Sequence, residues 1–134
     1  MSSKSSVLKL FNNHLLEFID DVILIFPDDI NIKTGKTVLE GLKKVNPKSI
    51  IVSWYECITL VYNKEIEQGD FNFFENKDYA EDINNRNISG HSNNKVLQAI
   101  NDIKIKVKTT SDSNKNKTMK YIQNLTKMSK LYFN

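Results

Sequence analysis

The chain is poor in the residue types that carry most dedicated chemistry. Its 134 residues hold one cysteine, two histidines, two prolines, four glycines and one tryptophan, with a single arginine against 18 lysines. Because Cys57 stands alone, neither an intrachain disulfide framework nor a cysteine-based zinc site can be assembled, and a cytosol-like interior is the default setting. No apolar run exceeds the five residues 22–26, whereas a bilayer crossing needs roughly 20. The start, with Lys4 and Lys9, lacks a continuous apolar segment followed by a small-residue cleavage site. The expectation is a protein that neither spans a membrane nor is secreted.

What the chain does have is lysine, asparagine and isoleucine, which together make up 50 of its residues. All three have A/T-rich codons, so the net charge of +3 reflects base composition in part and is a poor nucleic-acid signal by itself. The placement of charge says more. Residues 1–82 have a balance of −5, and residues 83–134 a balance of +8.

Hydrophobic periodicity divides the chain into helices. In residues 5–26, Val7, Leu8, Phe11, Leu15, Phe18, Ile19, Val22, Ile25 and Phe26 recur at steps of three and four, with Lys9, Asn13, Glu17 and Asp20 opposite. Pro27 ends that helix, and Asp28 or Asp29 can cap the next. A second helix is expected over 31–45 on the stripe Ile30, Thr34, Val38, Leu42 and Val45, although Gly35 and Gly41 each cost roughly 1 kcal/mol relative to alanine. A third is expected over 47–68, from Pro47 through Ile50, Ile51, Trp54, Ile58, Val61, Tyr62 and Ile66 to a stop at Gly69. Residues 70–83 read as a short aromatic helical piece, and 84–94 as an Asn/Gly/Ser loop. Val96, Leu97, Ile100, Ile103 and Val107 define a fourth long helix, and the last runs from about 114 to 132. The fold expected is all-α, a single compact bundle of about five helices with a basic amphipathic C-terminal helix. Its parts would be a bundle over 1–107, a polar linker over 108–117 and a C-terminal helix over 118–134 packing on the bundle, one domain in all.

Several motifs invite a chemical reading. Thr34-Gly35-Lys36-Thr37 looks like the end of a phosphate-binding loop, but position 30, where that motif needs its earlier glycine, is isoleucine, so an exposed helix turn is the simpler reading. His14 and His91 read as surface or capping histidines, since further ligands would have to come from elsewhere. Cys57, bracketed by Trp54, Ile58 and Val61, reads as a small buried apolar residue. The carboxylate pairs Asp20/Asp21 and Asp28/Asp29 point in different directions on a helix and read as a solvated acidic face. Phe71, Phe73, Phe74 and Tyr79 form a candidate aromatic patch, for a core or a protein interface rather than for stacking bases, because Asp70, Glu75 and Asp78 lie beside them. Lys104, Lys106, Lys108, Lys115, Lys117, Lys120, Lys127 and Lys130 form a candidate basic interaction face interrupted only by Asp112. Such a face can bind phosphates non-specifically, or it can pack on the acidic front of its own chain or of a neighbouring copy. Neither a catalytic set, a metal site nor a cofactor is expected.

The phrases LFNNHLLEFIDD (10–21), FPDDINIKTGKT (26–37), EIEQGDFNFFENKDYAED (65–82) and MKYIQNLTKMSKLYF (119–133) together resemble a group of small helical proteins encoded by nucleocytoplasmic large DNA viruses of algae and protists. The resemblance implies an intracellular protein, in host cytoplasm or virion, with a virion-associated or host-interacting role and no established activity. The function expected is therefore a non-enzymatic interaction protein, with a protein partner or homo-oligomer. The alternatives are a non-specific electrostatic nucleic-acid binder and a Bcl-2-like bundle that holds a host helix in an apolar groove.

Overall fold

The structure, a computed structural model, describes residues 3–71 and 91–134. It is an all-α bundle: α1 (Lys4–Ile25), α2 (Ile30–Val45), α3 (Lys48–Trp54), a π-helical turn (Tyr55–Thr59), α4 (Leu60–Glu67), α5 (His91–Val107) and α6 (Asp112–Phe133). The expected aromatic piece lies outside the described residues from position 72 onward, as does the expected loop up to position 90. The helical start at His91 takes the end of that loop into α5.

α1 starts where Ser3 accepts the Ser6 amide hydrogen at 3.2 Å, supplying one of the partners a helix N-terminus lacks. Of its expected stripe, Val7, Phe11, Leu15, Phe18, Ile19 and Val22 are buried. Each such side chain contributes roughly 1.5–3 kcal/mol on leaving water. Phe11 meets Trp54 edge-on, with ring centroids 6.0 Å apart, at the centre of the core. Asn12 donates to the Pro47 carbonyl at 3.2 Å and so ties α1 to the junction that opens α3.

Pro27 breaks the chain as expected, and Asp29, rather than Asp28, caps α2 by accepting from the Ile32 amide at 3.0 Å. The buried face of α2 differs from the expected one. Ile32, Leu39 and Leu42 are buried, whereas Ile30 and Val45 are 76% and 81% exposed. The reason is Gly35, which faces α5 so closely that an added Cβ would lie 3.3 Å from that of Ala99. A face whose middle position is a glycine shows no apolar residue there for periodicity to detect.

The expected third helix is unbroken in sequence from Lys48 to Glu67 but not uniform. The π-helical turn absorbs one residue beyond the α-helical repeat, and Tyr62 leaves helical dihedrals at φ −120°, ψ 17°. Ile50, Ile51 and Trp54 stay in the core before the turn and Ile66 after it, while Cys57, Ile58 and Thr59 are buried within it. Gly69, at φ 71°, closes α4. Its amide donates to the Ile66 carbonyl and that of Asp70 to the Glu65 carbonyl, the paired bonds of a Schellman stop.

Val96, Leu97, Ile100, Ile103 and Val107 of α5 are all buried. α6 begins at Asp112, with Ser111 as its cap accepting from the Asn114 amide, so the expected 108–117 linker is confined to residues 108–111. Polar composition misled there because the first turns of a surface helix can be polar all round without ceasing to be helical. α2 and α3 both pack on α5, α3 also meets α1 and α2, and α6 is wedged between α1 on one flank and the π turn and α4 on the other.

Candidate functional site

α6 reaches the acidic half of the chain through its flanks. On the inner side a ladder of buried hydroxyls sets its register. Trp54 Nε1 donates to Thr126 Oγ1 at 3.2 Å, and Thr59 and Ser129 share a hydrogen bond at 2.7 Å. Because Ser129 gives its own hydrogen to the Thr126 carbonyl, Thr59 is the donor of that shared bond. Ile122 and Leu125, buried on the same helix just before Thr126, supply the apolar part of the contact.

Toward α1, Phe18 stacks on Tyr121 with centroids 5.0 Å apart, and the Tyr121 hydroxyl donates to Asp21. Burial and the neighbouring Asp21 carboxylate push the Tyr121 phenol up to about 12, so it stays a donor throughout the neutral range. Lys4 lies 5.7 Å over the ring of Tyr132. With Lys4 at the far end and Phe18 near the middle, α1 and α6 run antiparallel. Toward α4, Lys130 pairs with Glu67 at 2.9 Å, and Gln123 donates to the Ile66 carbonyl. The Lys130 ammonium holds the Glu67 carboxyl below the usual carboxylate range.

The eight lysines of the expected basic face therefore separate. Lys104 is buried in α5, Lys106 pairs with Asp29 at 3.3 Å, Lys130 pairs with Glu67, and Lys115 is half-buried. Lys108 is exposed at the start of the α5–α6 connection. Only Lys117, Lys120 and Lys127 stand outward together on one helix face, with Asn124 among them and Leu131 at the end. Residues 113–134 contain no Asp or Glu, so α6 itself offers nothing to neutralise them.

Beside this lysine row runs the outer edge of α1, where Leu10, Glu17 and Leu24 are exposed at seven-residue spacing. Leu24 and Ile25 share with Lys117 and Tyr121 a groove of about 210 Å³, open between α1 and α6. Sequence reasoning missed this pairing. The signal present was the matching spacing of Lys117, Asn124 and Leu131, which only an antiparallel neighbour makes meaningful.

The other candidates resolve individually. Thr34-Gly35-Lys36-Thr37 lies inside α2, so its backbone amides belong to the helix ladder and cannot cradle a phosphate. Its Lys36 pairs with Asp20 at 2.6 Å, which raises the lysine's proton affinity, and Thr37 donates to the Lys33 carbonyl. Thr34 and Gly35 border a shallow groove against α5, where burial pushes the Asp102 carboxyl up. His14 packs on Tyr121 with Nδ1 3.6 Å from Glu17, and Cys57 is buried. Among the described residues no cluster of three or more His, Cys, Asp or Glu could hold a metal ion, and no helix is long and apolar enough to cross a membrane. Of the aromatic set, Phe71 packs half-buried on the core, while Phe73, Phe74 and Tyr79 lie outside the described residues. No protein family, curated protein or solved structure matches the chain.

Proposed function

We propose that the protein is a non-enzymatic interaction protein whose α6 outer face grips an acidic protein surface, acting inside the infected cell or virion as the viral resemblance implies. The observation that carries this reading is the row Lys117, Lys120 and Lys127, exposed on one side of a rigid helix whose inner side is locked by Trp54–Thr126 and Thr59–Ser129. A rigid row presents charge at fixed spacing, which favours a structured partner over a diffuse counterion cloud. The acidic front contributes from within, since Asp21, Asp29 and Glu67 take up side chains of the basic half through Tyr121, Lys106 and Lys130.

The test is titration with a glutamate-rich helical peptide and, in parallel, with a duplex oligonucleotide at about 50 mM salt. The peptide should bind, and the triple variant Lys117→Glu, Lys120→Glu, Lys127→Glu should lose it. Stronger binding of the duplex, with a log–log salt slope near about −3 for three phosphates, would replace this reading by the electrostatic nucleic-acid one.

A further inference from the structure

We propose that the acidic surface met by α6 is α1 of a second copy, so that the outer α1/α6 face forms a twofold dimer; this rests on the reading of α6 as an acidic-partner face. α1 and α6 are 22 residues each and antiparallel, and Leu24 shares its groove with Lys117. Seven residues further along each helix, in opposite directions, Glu17 falls level with Asn124, between Lys120 and Lys127. Seven more bring Leu10 level with Leu131. The face thus carries an acidic edge on α1, a basic edge on α6 and exposed leucines at both ends, with Leu10 and Leu131 each 60% exposed and Leu24 79%.

A twofold axis parallel to the two helices lays α1 of each copy over α6 of the other. Glu17 of one copy then faces the Lys120/Lys127 pair of the other, twice, and Leu10 faces Leu131, twice, as an isologous interface requires. The perpendicular twofold would set α1 on α1 and α6 on α6, bringing like charges together, and charge selects against it. Two helices about 33 Å long and about 10 Å wide give about 660 Å² per copy and about 1,300 Å² in all, within the range of specific interfaces. Because much of the face is polar, its hold on the second copy should weaken with salt.

Sedimentation of the full chain from micromolar to submillimolar concentration, at low and at molar salt, reads the outcome. The mass should move from the 15.5 kDa of one chain toward twice that at low salt and fall back at high salt. Glu17→Lys alone and Lys120→Glu with Lys127→Glu should each lose the dimer, because each sets like charges at both contacts. An equimolar mixture of the two should regain it, since one contact is then charge-swapped and the other native. All three positions are exposed, and unchanged helical circular dichroism confirms that the variants fold; Leu131→Lys supplies an independent loss at the apolar end. A wild-type chain that stays monomeric at low salt overturns the dimer, as does a dimer indifferent to these substitutions. A monomer that still binds the glutamate-rich peptide through α6 overturns this proposal alone, whereas one that also ignores the peptide ends the α6 reading with it.

Discussion

Gly35 and Gly41 occupy the same helix, and the structure gives them different responses to one added methyl group. In a helix interior glycine is less favourable than alanine by about 1 kcal/mol, mainly through backbone entropy. At Gly41 an added Cβ meets nothing within 4 Å, so Gly41→Ala should collect that whole difference and stabilise the fold by about 1 kcal/mol. At Gly35 the same Cβ would stand 3.3 Å from Ala99 Cβ, tighter than ordinary contact, and both atoms belong to short side chains that cannot swing aside. The gain there is offset by displacement of α2 from α5, leaving Gly35→Ala near zero net. Gly35→Val should destabilise by about 1–3 kcal/mol through overpacking. Urea unfolding of the three variants at constant m-value separates the effects, and heating should show Gly41→Ala raising Tm by about 3–5 °C. Equal stabilisation by alanine at both positions would refute the claim that Gly35 is kept by close helix packing.

Two further expectations concern buried polar contacts. Ser129→Ala strands the Thr59 hydroxyl in the core and should cost about 1–3 kcal/mol, whereas Thr59→Val with Ser129→Ala removes donor and acceptor together and should cost less than the sum of the singles. Additivity within about 0.5 kcal/mol in chemical denaturation would show the pair to be uncoupled. Asp29 has its carboxyl held below the ordinary value, first by the Ile32 amide and, against some desolvation, by Lys106. Its stabilising contribution is therefore complete above the ordinary aspartate value of about 3.9 and is lost as pH falls through the lower folded-state value. Asp29→Ala should lower neutral-pH stability by about 1 kcal/mol and flatten the acid limb of a stability–pH profile; an unchanged acid limb would contradict the capping role.

How far the fold could be read beforehand depended on whether each buried face announced itself with apolar side chains. α1 and α5 did: Phe11, Leu15, Phe18 and Val22, like Val96, Ile100 and Ile103, are apolar where they are buried. α2 did so only in part, because its tightest contact is made by Gly35: Val38 and Leu42 of the expected stripe meet the core, but its ends, Ile30 and Val45, are exposed. The start of α6 was hidden for a related reason, since its first turns carry only polar residues although Ser111 is an ordinary cap. The basic face was half legible. Composition located the lysines on α5 and α6, but only tertiary partners distinguish Lys106 and Lys130, held by Asp29 and Glu67, from Lys117, Lys120 and Lys127. Glu17, Leu10 and Leu24 acquire meaning only once α6 lies alongside them.

The π-helical turn at Tyr55–Thr59 also bears on how this chain tolerates changes in length. An uninterrupted α-helix that gains one residue rotates everything beyond it by about 100°, which would carry Ile66 and the Gly69 stop away from α6. Here the surplus is held locally as a wider turn, with Trp54 before it and Ile66 after it both facing the core. This stretch behaves as a helix carrying a one-codon insertion already absorbed. Removing one residue within 55–59 would regularise the coil and keep both ends in phase, whereas the same deletion in α1 or α5 would turn an apolar stripe toward solvent.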